Sequence, residues 1–311
     1  MLTITVDDYR PSPALDEELA ALGYTGIQGW PDQAPVDASL ARAMLRPSGM
    51  TATTLLLHRD SAGRLLAGAA VRWPATLDSA GRLWGPVVHP DARRHGLGRS
   101  LMSAIGDVLA RRPGELISTT DIPESRTHGW TLFADAGWER AGASTLYQRR
   151  VDPFGPIAPA VEVAVRPLAA GEYVAPALAD LFAASRPELG PTTARDTFAR
   201  WSADSRYTAD GLLLAEHDGR LIGAAIVYPS SSDQPDELAE ALLLEVLVAQ
   251  DISADLADAV RRSLIRGALR AAATMGMTVA RSVVESDALA AALTGAGFTV
   301  VDRILRYTHR G

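Results

Sequence analysis

The sequence predicts an α/β chain built as two tandem domains. Three observations predict this. Two segments of the first half recur in the second, a proline-rich stretch separates the halves, and each half runs through the same order of short apolar strands and amphipathic helices. A length of 311 residues accommodates two domains of ordinary size.

The first recurring segment is Gly63-Arg64-Leu65-Leu66-Ala67-Gly68-Ala69-Ala70-Val71, which resembles Gly219-Arg220-Leu221-Ile222-Gly223-Ala224-Ala225-Ile226-Val227. The second is Phe133 to Trp138 with Tyr147 beyond it, which resembles Leu293 to Phe298 with Tyr307 beyond it. The spacing between the two segments is slightly longer in the second copy, and residues 230–236 supply the extra loop. Each copy opens with a strand, over 2–6 and 161–165, and passes through helical segments into a hairpin. The hairpins turn at Ser61-Ala62-Gly63 and His217-Asp218-Gly219, where turn-forming residues cluster. A strand over 83–88 or 242–248 then precedes a central helix, which in the first copy carries Leu101, Ile105, Val108 and Leu109 on one face. A strand over 116–122 or 278–284, a helix and a last strand complete the copy. Residues 151–160 read as a linker between a domain at 1–150 and another at 161–311.

Composition narrows the function classes. With 47% hydrophobic and 22% charged residues the chain is that of a soluble globular protein, and a net charge of −7 argues against a nucleic-acid surface. No cysteine is present, which removes disulfides, thiolate nucleophiles and cysteine-based metal sites. Every basic residue among the 30 is arginine. The N-terminal residues lack a basic start and a long apolar run, so neither a signal peptide nor a membrane span is expected, and a cytoplasmic location follows by default.

The densest chemical signal is Val87-Val88-His89-Pro90-Asp91-Ala92-Arg93-Arg94-His95-Gly96-Leu97-Gly98-Arg99-Ser100. A strand runs through a glycine-bearing turn into a helix, whose first N–H groups lack intrahelical partners and carry the positive end of the dipole. Gly96 and Gly98 are expected to clear Cβ atoms from the path of a diphosphate, with Arg93, Arg94, His95 and Arg99 adding charge. An ordinary strand-to-helix turn is the alternative. A dinucleotide fingerprint would need a third spaced glycine, and a P-loop would need a lysine.

Arg-x-x-Gly-x-Gly in this context resembles the acyl-CoA-binding signature of the GNAT superfamily of N-acetyltransferases. The resemblance implies a tandem arrangement in which each domain is a mixed, mostly antiparallel sheet flanked by helices. It implies acetyl-CoA or another acyl-CoA as cofactor, with backbone at Val87 and Val88 lying along the pantetheine and polarising the thioester carbonyl. The partner it implies is an amine of a small molecule, such as an antibiotic, an amino sugar or a secondary metabolite. An acyl carrier protein is an alternative donor, and homodimerisation is left open. The layout is similar to that of mycothiol synthases, although that family keeps its functional site in the C-terminal copy.

Placing Val88 against Val248 sets Arg93, Gly96 and Gly98 against Ser253, Leu256 and Asp258. Three carboxylates, Asp251, Asp255 and Asp258, stand where the first copy is basic, so the second copy reads as a degenerate domain without a cofactor site. Two family features are also missing from the first copy. The strand 83–88 has no carboxylate, and Phe133 occupies the position where many members carry a proton-donating tyrosine. Asp121, Glu124 and His128 are the replacement candidates for proton transfer. For each, a helix-start or surface role is the alternative. Trp84 and Trp130, with Trp30 and Trp73 behind them, are candidate walls of an acceptor pocket or core residues. Glu245, set in an apolar strand, is a candidate contact for a cationic substrate across the pseudo-symmetric cleft, or the partner of an arginine in its own domain. A non-catalytic acyl-CoA-binding module is the rival to an acyltransferase.

Overall fold

The computed structural model describes residues 3–27, 38–46, 50–74, 80–112, 114, 116–151, 163–169, 171–185, 201–202, 206–229 and 239–311. The loop at 230–236, Trp30 and the linker after Val151 fall outside them. The chain divides into two compact units, one holding residues 1–144 with 302–311 and the other holding 145–301.

In the first unit the elements are β1 (Thr5–Asp8), α1 (Pro13–Ile27), α2 (Ala38–Leu45), β2 (Met50–Arg59), β3 (Leu65–Pro74), β4 (Gly81–Val88), α3 (Leu97–Leu109), β5 (Leu116–Pro123), α4 (Thr127–Asp135) and the start of β6 (Glu139–Arg150). The sequence pattern places the opening strand at 2–6, but β1 begins at Thr5. Its four side chains are exposed, and its position is set by antiparallel pairing from Thr5↔Leu57 to Asp8↔Thr54. β1 to β4 form an antiparallel meander, and β5 joins β4 in parallel. The other edge of β5 pairs with the end of the chain, from Ile304↔Pro123 to Arg310↔Leu116.

Two apolar layers sandwich this sheet. α3 buries Leu97, Leu101, Ile105, Val108 and Leu109 on one face with Ala67, Ala69, Val71 and Leu83 of the strands. Leu19 and Leu22 of α1 and Leu45 of α2 pack on the opposite face with Leu55 and Ala70. The second face also holds a polar clasp. The fully buried Asp16 accepts from the Tyr9 hydroxyl at 2.5 Å and from Arg42 Nε at 2.7 Å, joining α1, α2 and the segment after β1. Burial, and then the Asp16 carboxylate, push the Tyr9 hydroxyl well above the usual tyrosine range.

The second unit contains β7 (Ala164–Pro167), α5 (Ala175–Ser185), β8 (Leu212–His217), β9 (Arg220–Pro229), β10 (Glu240–Val248), α6 (Ala254–Thr274), β11 (Val279–Val284), α7 (Asp287–Gly295) and the first residues of β12 (Thr299–Arg310). β7 to β10 are again antiparallel neighbours, β10 and β11 are parallel, and β11 pairs with β6 from Val279↔Arg150 to Val284↔Thr145. The fold is therefore mixed and mostly antiparallel, flanked by helices, as the motif's resemblance implies. Its core is one apolar cluster centred on Val260, Leu264 and Ile265 of α6 with Leu212, Leu214 and Ile226 of the sheet. Among the described residues no helix is long and apolar enough to cross a membrane.

Two predictions follow from the polar anchors. Asp16→Ala strands the buried Tyr9 hydroxyl, and urea unfolding is expected to register a loss of about 1–3 kcal/mol. A change indistinguishable from zero would mean the clasp does not form. In the second unit Arg166 grips Glu172 through both nitrogens at 2.7 and 2.8 Å, and the Ala169 N–H adds a third bond. Arg166 first and Ala169 second lower the Glu172 carboxyl to about 2. Because the folded value is depressed, this contact supports the fold above the ordinary value of 4.5 and is lost as pH falls toward about 2. A carboxyl-carbon NMR titration of Glu172 checks this, and a midpoint at the ordinary value would contradict the grip.

Candidate functional site

Among the described residues, parallel strands β4 and β5 pair at Gly81↔Ile117 and Arg82↔Ser118. Beyond Arg82 each strand bulges. Trp84 faces Ala70 and Val87 faces Gly68, so Gly85 and Pro86 together oppose Ala69. Gly85 takes φ +79°, and a Cβ there would stand 2.9 Å from the Gly68 carbonyl oxygen. The bulge shifts the face alternation, so Leu83 and Val88 reach the α3 layer while Trp84 and Val87 reach the α1 layer. On β5, Ile122 faces Leu305 and Thr119 faces Tyr307, so Thr120 and Asp121 form the matching irregularity. Among the described residues no ladder pair joins the two strands beyond Arg82↔Ser118, and this leaves a wedge of facing backbone groups.

The loop from Val88 into α3 sits at the open end of that wedge. A single 3₁₀ turn, Pro90–Ala92, starts it, and Arg94 and Gly96 adopt φ +63° and +82°. Gly96 is the N-cap of α3 and offers no side-chain bond to the helix, whose first intrahelical N–H is that of Ser100, bonded to the Gly96 carbonyl at 3.0 Å. The N–H groups of Leu97, Gly98 and Arg99 come before it and are available to an anion. Arg94, His95 and Arg99 are exposed around them, while Leu97 is buried and anchors the turn to the core.

Two members of the motif serve differently from the sequence expectation. A Cβ on Gly98 would meet Leu132 Cδ2 at 3.2 Å, so this glycine lets α4 pack on α3. Around a Cβ on Gly96 there is open space. Arg93 points away from the turn: its Nε donates to the Val88 carbonyl at 3.1 Å and its Nη2 to the Gly26 carbonyl at 2.9 Å.

The corresponding turn of the second unit is filled by its own side chains. Ser253 caps α6 by accepting from the Leu256 N–H, Asp251 is gripped by Arg220 at 2.5 and 2.6 Å, and Asp258 pairs with Arg261. The wedge itself persists there. β10 and β11 pair from Glu240↔Val279 to Leu242↔Arg281 and then part, with Leu244 as the bulged residue. Ser282 Oγ reaches across the start of this opening to the Leu243 carbonyl at 3.1 Å.

The proton-transfer candidates occupy distinct settings. Glu124 lies between two guanidinium groups, Arg303 at 3.2 Å and Arg140 at 3.5 Å, and its own N–H donates to the Arg303 carbonyl. Ser125 beside it bonds Asp302, so this turn is tied to β12. His128 is exposed in the first turn of α4. Asp121 lies on β5 at the irregularity, and its side chain is outside the described residues. Phe133 is buried, 5.2 Å from the Trp138 ring and 5.8 Å from the Tyr307 ring. Trp84 and Trp130 are half-buried, and Trp130 Nε1 donates to the Glu124 carbonyl. Trp73 is buried and bonds Thr54. Glu245, in the second unit, is half-buried opposite Ile226, just past the β10 bulge. Sequence reasoning missed the β12 residues Asp302 and Arg303, which carry no local motif.

No family model matches the chain. Over 168 residues, 51% of its length, the chain is 30% identical to the mycothiol acetyltransferase of Geodermatophilus obscurus, of which the match takes in 53%. It is 34% identical over 145 residues to the mycothiol acetyltransferase of Acidothermus cellulolyticus, covering 44% of this chain and 41% of that protein. The chain thus spans about half the length, or less, of the curated relatives it matches. A tandem GNAT protein from the clavulanic acid biosynthesis pathway superposes with a TM-score of 0.71 over 99% of this chain and 98% of its own, at 18% identity.

The two glycines should respond unequally to the same substitution. Gly96→Ala forces a side chain into the left-handed region and should lower stability by roughly 1–2 kcal/mol. Gly98→Ala meets only the tip of a flexible leucine and should lower it by less. Thermal unfolding of the pair checks this, and a larger effect at Gly98 would contradict it. Two tandem GNAT-fold units, one with an open helix start and one with a filled one, are thus the architecture of this chain.

Proposed function

We propose that the first unit binds an acyl-CoA, most simply acetyl-CoA, and transfers its acyl group to an amine of a small molecule. The uncapped start of α3 carries this reading, because it combines free N–H donors, an open Gly96 and the exposed side chains of Arg94, His95 and Arg99. Acetyl transfer is supported by the likeness to the two mycothiol acetyltransferases and to the tandem GNAT protein, and the amine acceptor is what the Arg-x-x-Gly-x-Gly resemblance implies. When bound, the acyl-CoA supplies an activated thioester carbonyl. The residues of the chain hold and orient it: the N–H groups of 97–99 take the diphosphate, and the unladdered backbone of β4 through Val87 and Val88 lines the wedge. A β4 N–H aimed at the carbonyl would stabilise the developing oxyanion without any side chain.

Proton transfer is assigned by elimination within the sequence candidates. Glu124 is engaged by Arg303 and Arg140, which suits it to anchoring α4. Asp121 at the wedge and the exposed His128 are kept as the groups that take the amine proton. Phe133 cannot donate a proton and belongs to an aromatic cluster.

The lack of a proton-donating hydroxyl at Phe133 and of a carboxylate on strand 83–88 favours the second reading, a module that binds acyl-CoA without turnover. A carrier-protein thioester is the other donor to consider, although Arg94 and Arg99 favour the diphosphate of the free nucleotide. Offering acetyl-CoA with a panel of small amines and measuring free CoA thiol separates the readings. Amine-dependent release supports transfer, and thermal stabilisation by acetyl-CoA with no release supports the binding module. Arg94→Ala and Arg99→Ala should each weaken acetyl-CoA binding by about 1–2 kcal/mol, roughly five- to thirtyfold, by calorimetry. Unchanged affinity in both would remove the loop from the cofactor site.

A further inference from the structure

We infer that Arg93 couples the cofactor loop to the C-terminal end of α1, so that an anion bound at the start of α3 steadies α1. The inference rests on the acyl-CoA reading of the first unit. Gly26 lies in the last turn of α1, where the final carbonyls have no intrahelical donor. α1 has no basic residue of its own in that turn. The Arg93 guanidinium, 67 residues away in sequence, supplies both the missing donor and a positive charge at the negative end of the helix dipole.

The same planar group bonds the Val88 carbonyl, the last residue of β4, so one rigid fork holds a helix end to a strand end. Little slack exists between those ends. A Cβ added to Gly26 would stand 2.1 Å from Val87 Cγ1, which leaves α1 seated directly on β4. Arg93 is followed at once by Arg94 and Gly96, both in the left-handed region, so fixing the turn by an anion fixes the base of the fork.

The second unit meets the same structural need without involving its loop. The Val248 carbonyl, which matches that of Val88, accepts from Ser185 Oγ at 3.1 Å. Ser185 is the last residue of α5 and also lies 2.8 Å from the Leu181 carbonyl. There the helix ties itself to the strand end, and its loop carries no anion-ready turn. The loop-borne fork occurs in the unit whose helix start is open. α1 packs on the Trp84 face of the sheet, so the coupling would let cofactor binding prepare that face for the acceptor.

Hydrogen–deuterium exchange on the full chain, with and without acetyl-CoA, tests this alongside calorimetry. In the wild type, acetyl-CoA should slow exchange at residues 22–27 by about fivefold or more. Arg93→Ala should abolish that added protection while changing the acetyl-CoA Kd by less than about threefold, and Arg93→Lys should restore part of it. Protection that persists in Arg93→Ala overturns the coupling. So does a loss of affinity as large as in Arg94→Ala, which would make Arg93 a phosphate ligand. Binding to the wild type without protection at 22–27 sinks the coupling alone, whereas no binding at all sinks the functional reading and the coupling together.

Discussion

A parallel strand pair that separates after Arg82↔Ser118 is the constraint on which the first unit is organised. Backbone donors and acceptors left facing each other must find partners, and a sheet normally supplies them. Bulges at Gly85-Pro86 and at Thr120-Asp121 turn the two edges apart, and the helices on either face hold them there. α3 buries a continuous apolar stripe against β3 and β4, while α1 presses Gly26 onto Val87 from the other side. A wedge kept open by packing is preorganised for a ligand with polar groups along its length.

The two units act as an internal comparison. Both retain the parting strands and the bulge, so the wedge belongs to the fold. They differ at the following helix. α3 begins with a bare glycine N-cap and exposed arginines, whereas α6 begins with a serine cap and carboxylates. A helix start that already satisfies its own N–H groups and carries negative charge repels a phosphate. The difference between the units therefore lies in a few side chains at one turn, and it bears directly on where a nucleotide could bind.

Much of this was legible because it depends on local chemistry. The succession of strands along the chain and the hairpins follow from apolar runs broken by Ser61-Ala62-Gly63 and His217-Asp218-Gly219, and the passage from strand through a glycine-bearing turn into α3 follows from residues 87–100. What escaped the sequence is long-range. Residues 302–311 pack with the first unit, and because the Tyr147 and Tyr307 segments are themselves repeat-related, no pattern distinguishes which unit each strand joins. Glu124 looks like a free acid until Arg303, 179 residues away, is placed beside it. Arg93 and Gly98 look like parts of a phosphate motif, yet one caps α1 and the other makes room for Leu132. In both cases a neighbour remote in sequence decides the role.

The nucleotide site proposed for this chain lies at the start of α3. A crystal structure of the full chain with CoA tests it most directly. The expected result is a diphosphate against the N–H groups of residues 97–99, with the pantetheine between β4 and β5 and no nucleotide at α6. A diphosphate at the start of α6, or CoA bound away from the β4–β5 wedge, would contradict it.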